Sequence, residues 1–104
     1  MWWRRLQWAR VAGPSMTPTL RDGDLLLVRR GDRAAPGDVV LAKFASLPDR
    51  YVVKRASYEV DGQWWLASDN PYIEGDSASH GLATVHGRAL IRFPAGSFIP
   101  RRVR

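Results

Sequence analysis

A serine enclosed by two prolines is the residue of this sequence best placed to act as a nucleophile. Ser15 lies in the segment Gly13-Pro14-Ser15-Met16-Thr17-Pro18-Thr19-Leu20. Proline fixes its own φ angle and keeps the preceding residue out of the helical region, so Pro14 and Pro18 predict a stiff, non-helical loop. Such a loop can hold a hydroxyl group in one position, which nucleophilic attack on a carbonyl carbon requires.

A lysine on a short apolar strand could supply the base that activates this serine. Strand alternation in Tyr51–Ala56 places Val52, Lys54 and Ala56 on one face and Arg55 on the other. Apolar neighbours disfavour the charged amine, so we expect the pKa of Lys54 to lie below its usual range. A neutral amine can accept the serine proton, and an acyl-enzyme then forms. Taken alone, however, the strand favours a sheet-edge lysine whose amine stays in water.

Length and composition predict one domain, 1–104, with an N-terminal extension at 1–11 and a basic tail at 94–104. The net charge of +6 comes from 14 arginines and two lysines spread along the chain, which favours a solvated basic surface over a contact with a polyanion. The chain has no cysteine, and the spacing of His80 and His86 matches no usual metal site. We therefore expect no metal and no other cofactor.

The pattern of short apolar runs and turn residues predicts a mainly β fold, a small coiled sheet or partly open β-barrel. Strands are expected at 25–28, 39–44, 51–56, 58–60, 64–67 and 83–93. Asp61-Gly62 predicts a hairpin turn, and Gly87 predicts a bulge in the last strand. Any helix is expected at 2–10, while 68–81 is expected to be a long polar connection and 94–104 a frayed tail.

The first ten residues raise the question of a membrane contact. No apolar run reaches the ~20 residues that span a bilayer, and residues 1–8 are too charged for a signal peptide. Tryptophan beside arginine suits either a weak interfacial anchor or a cover for the edge of the core. We expect a cytoplasmic protein with weak or no contact to a membrane surface.

Four segments resemble, in order, motifs of the signal peptidase I-like (S26) serine proteases, which pair a nucleophilic serine with a lysine base. They are Gly13–Leu20 with the serine, Pro36–Val40, Val52–Ala56 with the lysine, and Ser68-Asp69-Asn70 continued by Gly75-Asp76-Ser77. The resemblance implies a fold of the signal peptidase I and LexA-like type, with Ser15 as nucleophile and Lys54 as general base. It also implies that the oxyanion hole and site support come from Gly13, Ser15, Asp69, Asn70, Asp76 and Ser77.

Several positions depart from the family pattern. Ser68 replaces the first glycine of a Gly-Asp-Asn box, and Ala78 replaces an arginine that could form a salt bridge. Glu74 stands where many signal peptidases have a serine that orients the lysine, and a carboxylate there would favour the charged amine. Gly13 offers no hydroxyl to an oxyanion hole, so the backbone N–H of Ser15 is one expected donor and the second is not assigned.

Within that family, the sequence is most similar to the nickel-type superoxide dismutase maturation proteases. The similar features are Gly13-Pro14-Ser15, residues 52–56, Trp64-Trp65 and residues 75–77. The resemblance implies an endopeptidase that removes an N-terminal extension from a precursor protein, which we expect to bind as an extended strand at a sheet edge. No nucleic acid is expected as a partner.

Three alternatives remain open from the sequence. The chain could be a signal peptidase that acts on secretory precursors, or a LexA-like domain that cleaves itself. It could also be a non-catalytic basic β module that binds nucleic acid, with Tyr58, Trp64 and Trp65 stacking on bases. The last alternative leaves the order of the motifs unexplained.

Overall fold

The computed structural model describes residues 2–104, and strands dominate this part of the chain. A 3₁₀ turn at Trp2–Arg5 comes first. The strands are β1 (Leu6–Arg10), β2 (Leu25–Arg30), β3 (Val39–Phe44), β4 (Val52–Val60), β5 (Gln63–Ala67), β6 (Ala83–Phe93) and β7 (Arg101–Arg102), and the short helix α1 (Ser77–His80) precedes β6. The mainly β fold that the sequence predicts is confirmed.

The strands form one antiparallel sheet in the order β1-β2-β6-β3-β4-β5, with β7 paired to β6. The sheet curls because β5 returns to β6, where Trp64 faces Ala83. Strands β3 to β6 therefore make a partial ring, and β1 and β2 extend from it. This is the partly open barrel expected from the sequence.

The core consists of two apolar clusters that use alternate residues of β3. Val39 and Leu41 belong to the first cluster, and Val40, Ala42 and Phe44 belong to the second. Burial on both faces explains why residues 39–42 of β3 form a continuous apolar run. The first cluster also contains Met16, Leu20, Leu26, Val28 and Ala89, so two side chains of the serine loop are part of the core.

Two bulges bend β6 around the core. Leu41 faces Gly87 while Ala42 faces Val85, which leaves His86 unpaired on β6. A Cβ atom at Gly87 would lie 2.5 Å from Val28 Cγ1 and 3.0 Å from the carbonyl oxygen of Arg29. The close approach of β2 thus requires glycine, and the predicted bulge near Gly87 is confirmed.

The β4–β5 hairpin turns at Asp61-Gly62, as predicted. Both residues have positive φ angles, +50° and +84°, as in the type I′ turns that favour this pair. Trp64 is only 3% exposed and packs in the second cluster, whereas Trp65 stacks on Tyr58 with ring centroids 5.9 Å apart. The two tryptophans therefore point to opposite faces of β5.

Three expectations about secondary structure are wrong in part. The helix expected at 2–10 ends at Arg5, because residues 6–10 pair with β2 instead. The tail at 94–104 is not frayed, since β7 pairs with β6 and Val103 packs against the first cluster. The connection 68–81 contains α1 at its end. Among residues 2–104, no helix has the length and apolar character needed to cross a membrane.

Candidate active site

The loop that carries Ser15 is held by turns and by its own buried side chains. The amide of Thr17 donates to the carbonyl of Pro14 at 3.1 Å, and the amide of Leu20 donates to the carbonyl of Met16 at 2.9 Å. The side chains of Met16 and Leu20 are only 1% and 0% exposed. Burial of each stabilises the folded protein by about 1.5–3 kcal/mol. Ser15 itself is half-buried between these anchors. The predicted non-helical loop is confirmed.

Gly13 begins this loop with a φ angle of +81°, a conformation that favours glycine. Its amide donates to Oδ1 of Asp22 at 2.8 Å, which ties the start of the loop to the turn after it. Gly13 therefore has a conformational role, in addition to its implied place beside the oxyanion.

Lys54 is the buried cation of the sheet, only 6% exposed. Lys54 pairs with Val40 of the neighbouring strand β3, and Ala56 lies on the same face of β4. Burial lowers the pKa of the Lys54 amine, and the negative charge of Asp76 opposes this shift without cancelling it. The water-exposed lysine that the strand alone favours is therefore wrong, and the Lys54 side chain is buried as a general base with a lowered pKa requires.

Ser15 and Lys54 line one cleft of about 310 Å³. The other lining residues are Arg10, Val11, Ala12, Gly13, Pro14, Leu47, Arg50, Tyr51, Val52, Val53, Ile73, Gly75 and His80. Glu74 is exposed and does not line this cleft. The carboxylate that acts on Lys54 is instead that of Asp76.

Asn70 fixes the serine loop through three hydrogen bonds. Its backbone amide donates to the carbonyl of Ser15 at 2.9 Å. Its side-chain Nδ2 donates to the carbonyl of Pro14 and to Oγ1 of Thr17, both at 3.1 Å. Asn70 thus contacts the residues on both sides of the serine as well as the serine backbone.

Asp69 links the end of the serine loop to β4. Its carboxylate forms an ion pair with Arg55 at 2.6 Å and accepts a hydrogen bond from Thr19 Oγ1. Desolvation pushes the pKa of Asp69 upward, but the hydrogen bonds from Arg55 and Thr19 outweigh it and hold the pKa below its usual value. Arg55 also donates to the carbonyl of Gly37 at 2.9 Å, so one guanidinium connects three segments.

Asp76 and Ser77 hold the connection between β5 and α1. The Asp76 carboxylate caps α1 by accepting from the Ala78 amide at 3.0 Å, and it accepts from the Ser68 amide at 3.2 Å. Backbone amides therefore engage this carboxylate where the family pattern has an arginine. Ser77 is 1% exposed, and its Oγ accepts from the Leu66 amide at 2.7 Å.

Three residues with contacts at this site were not predicted from the sequence. Thr19 and Arg55 complete the Asp69 network, and no local pattern marks either of them. His80 lines the cleft, where its ring packs on Phe44 at 4.9 Å and its Nδ1 lies 3.2 Å from Ser46 Oγ. His86 lies elsewhere, against Tyr51. Within residues 2–104, no three His, Asp or Glu side chains lie close enough to bind a metal ion.

Comparison with known proteins assigns the fold and its cleft to a family. A family model described as peptidase S24-like matches residues 4–90, which include the serine loop, β4 and the Ser68–Ser77 segment. The chain belongs to the peptidase S24-like family. This peptidase is also 31% identical, over 117 aligned positions, to mitochondrial inner membrane protease subunit 1 of Xenopus tropicalis. The alignment covers 86% of this chain and 70% of that relative.

The two matches make this peptidase a protease of the signal-peptidase-like type, as the order of its motifs indicates. The family model carries the S24 description, whereas the motifs resemble those of the S26 proteases.

Proposed function

We propose that this peptidase is a serine endopeptidase with Ser15 as nucleophile and Lys54 as general base. The observation that carries the proposal is that a loop serine and a buried lysine line the same cleft in a member of a peptidase family. The Lys54 amine takes the Ser15 proton while Oγ attacks the carbonyl carbon of the substrate peptide bond. Lys54 then gives that proton to the leaving amine, and a water molecule that Lys54 deprotonates hydrolyses the acyl-enzyme.

The backbone N–H of Ser15 supports this mechanism as a donor to the oxyanion. It donates no hydrogen bond to any group within the described residues 2–104. An amide on a loop that Asn70 and the buried Met16 fix in place is preorganised to stabilise negative charge on the substrate oxygen.

The substrate binds as an extended strand in this proposal, since two unpaired strand edges border the cleft. β4 pairs with β3 at 52–55 but with β5 only from Arg55 onwards, so one edge at 52–54 has no partner strand. β1 pairs with β2 alone and leads directly into the serine loop. A peptide between these edges can make main-chain hydrogen bonds on either side.

The substrate proposed is a precursor protein with an N-terminal extension, in particular the precursor of a nickel-type superoxide dismutase. The motif similarity described above supports this substrate. The relative from Xenopus tropicalis is named as a protease of the mitochondrial inner membrane, which favours processing of another protein. The nucleic-acid alternative loses support because Trp64 is buried and Tyr58 stacks on Trp65 within the protein.

The proposal is tested by incubating the protein with a nickel superoxide dismutase precursor and with a secretory precursor. New N-termini are identified by mass spectrometry, and the mass of the protease itself reports self-cleavage. Ser15→Ala should abolish cleavage, whereas Ser79→Ala should retain it because Ser79 is exposed and outside the cleft. Cleavage by a well-folded Ser15→Ala protein, free of other proteases, would contradict the proposed nucleophile.

A further inference from the structure

Two adjoining clefts outside the candidate active site are rich in arginine, and we call them the arginine clefts. Their volumes are about 320 Å³ and 630 Å³, and they share Asp38 and Arg88. Eight of the 14 arginines line them: Arg5, Arg29, Arg30, Arg33, Arg88, Arg101, Arg102 and Arg104. The acidic residues there are Asp32 and Asp38, so the lining is strongly positive.

The charge of the arginine clefts is not neutralised within the described chain. Ion pairs among residues 2–104 involve Arg55 and Arg92, neither of which lines these clefts. The carboxylate of Asp38 accepts a hydrogen bond from a backbone amide, that of Ala35, at 2.8 Å. Arg29 faces Arg88 directly across β2 and β6, and like charges at opposed positions are unfavourable. A negatively charged partner would relieve this repulsion.

The arginine clefts lie near the cleft that contains Ser15. A further cleft shares Arg5 and Arg30 with the arginine clefts and Tyr51 with the Ser15 cleft. Lys54 faces Val40, which in turn faces Arg88, so the Cα atoms of Lys54 and Arg88 lie two strand spacings apart, about 10 Å. One extended chain can therefore reach both sites.

The lining residues favour a peptide over a nucleic acid. The Ser15 cleft contributes Arg10 and Arg50, and none of its described lining residues is acidic. The two arginine clefts have no aromatic side chain among their described lining residues, so they offer no surface on which bases could stack. Guanidinium groups match carboxylates well, because they donate two parallel hydrogen bonds.

We propose that the arginine clefts bind an acidic segment of the protein substrate, about three or more residues from the bond that is cleaved. The proposal rests on the proposed endopeptidase function, since it assigns the segment to a substrate. Acidic residues at that distance would raise the affinity of the enzyme for its substrate without contacting the reacting atoms.

Binding of deca-glutamate to the Ser15→Ala protein tests the proposal, because this variant separates binding from cleavage. Tryptophan fluorescence or calorimetry at physiological salt measures the affinity. The double variant Arg29→Gln/Arg88→Gln should bind about tenfold more weakly, as two charge-assisted contacts are lost. Two single variants of the Ser15→Ala protein are compared, each of which loses one exposed positive charge. Arg21→Gln is the matched control and should bind deca-glutamate as tightly as the Ser15→Ala parent, whereas Arg88→Gln should bind it more weakly.

Equal affinity of the double variant and the Ser15→Ala parent for deca-glutamate, or no binding at all, would overturn the proposal. An oligonucleotide of ten thymidines that binds at least as tightly, with the same loss in the double variant, would overturn it in favour of nucleic acid. In the active enzyme, the double variant should raise KM for an acidic precursor and leave kcat unchanged. Failure of the endopeptidase proposal would show separately, as cleavage that survives Ser15→Ala.

A buried hydroxyl group near Lys54 carries a second inference independently. Ser68 Oγ is buried and has no hydrogen-bond partner among residues 2–104. Arg55 pairs with Ala67 at the end of the β4–β5 ladder. Extending this register by one residue on each strand places Lys54 opposite Ser68. Opposed residues of antiparallel strands project from the same face. We infer that Ser68 Oγ hydrogen-bonds the Lys54 amine during proton transfer and directs it toward Ser15, as a positioning residue.

Ser68→Thr and Ser68→Val test this role, because their side chains have similar volumes and differ in the hydroxyl group. Ser68→Thr should retain most of the activity, and Ser68→Val should lower kcat about tenfold or more with KM unchanged. Thermal unfolding of both variants checks that the fold is intact. Equal kcat values for the two variants would overturn the assignment, as would a loss that appears in KM alone.

Discussion

Two opposing influences on Lys54 decide whether its amine can act as a base. Burial lowers the pKa, and the carboxylate of Asp76 raises it, with burial the larger influence. Asp76 also accepts hydrogen bonds from the amides of Ser68 and Ala78. The arrangement keeps an acidic group near the base and still leaves the amine easier to deprotonate than an ordinary lysine.

The activity of the enzyme should therefore rise with pH through the lowered pKa of Lys54, since only the neutral amine can accept the Ser15 proton. Lys54→Arg should be inactive at every working pH, because guanidinium stays protonated. A pH–rate profile of kcat/KM measures this. Lys43→Met is the control and should remain active, as the Lys43 amine lies over the Tyr51 ring at 4.5 Å and does not line the Ser15 cleft. An inactive Lys43→Met with an active Lys54→Met would show that the base is misassigned.

The lowered pKa of Lys54 should also make the stability of the folded protein depend on pH. A lysine whose folded pKa is lowered binds fewer protons in the folded state, so stability rises with pH between the folded pKa and the unfolded value of ~10.4. Lys54→Met removes this dependence and should be more stable than the natural protein at neutral pH. The difference should shrink as pH approaches ~10.4. Urea unfolding across this range measures it, and a constant difference would contradict the lowered pKa.

The proposed catalytic residues and part of their support could be recognised from sequence, while the roles of Thr19 and Arg55 could not. Ser15 is marked by its prolines, and Lys54 by its place on an apolar strand. Thr19 and Arg55 act through Asp69, a residue 50 positions from Thr19 and 14 from Arg55. Such contacts depend on which segments the fold brings together, and no spacing along the chain reports them. The contacts of His80 with Phe44 and Ser46 depend on the fold in the same way.

Among the elements, local pattern was sufficient for two strands with several buried residues. The bounds of β3 and β6 match the runs predicted at 39–44 and 83–93. β1 and β7 were missed because they are short, carry arginine and are defined by pairing with β2 and β6. Helix α1 has only four residues and depends on the Asp76 cap. Short strands such as β1 and β7 form because of their partners elsewhere in the chain, and the strand propensity of a local segment does not reveal these partners.

Gly87→Ala should test the role of the bulge in β6. The added Cβ would contact Val28 Cγ1 and the carbonyl oxygen of Arg29, so the two strands must separate or the side chain must shift. We expect a loss of about 1–3 kcal/mol in the free energy of unfolding, typical of overpacking. Thr84→Ala, at an exposed position of the same strand, should change it much less. Equal urea midpoints for the two variants would contradict the tight packing at Gly87.

For the molecule as a whole, we expect weak and reversible contact with membranes. Trp3 and Trp8 are 54% and 55% exposed near several arginines, which suits an interfacial contact but not firm insertion. Flotation with anionic liposomes should recover part of the protein at low salt and little at high salt, because screening weakens the attraction of exposed charges. Quantitative recovery that survives high salt would mean that the apolar contact dominates.

The place of β6 in the chain also has a consequence for biosynthesis. This strand pairs with β2, β3, β5 and β7, yet it is made only after the ribosome has passed residue 83. Until then β2 lacks one neighbouring strand. The Thr19 carbonyl at the end of the serine loop also lacks the hydrogen bond that Arg92 donates to it. Ser15 is therefore translated early but fixed late. The cleft around Ser15 can therefore form only after β6 has been made, since domains generally fold as units.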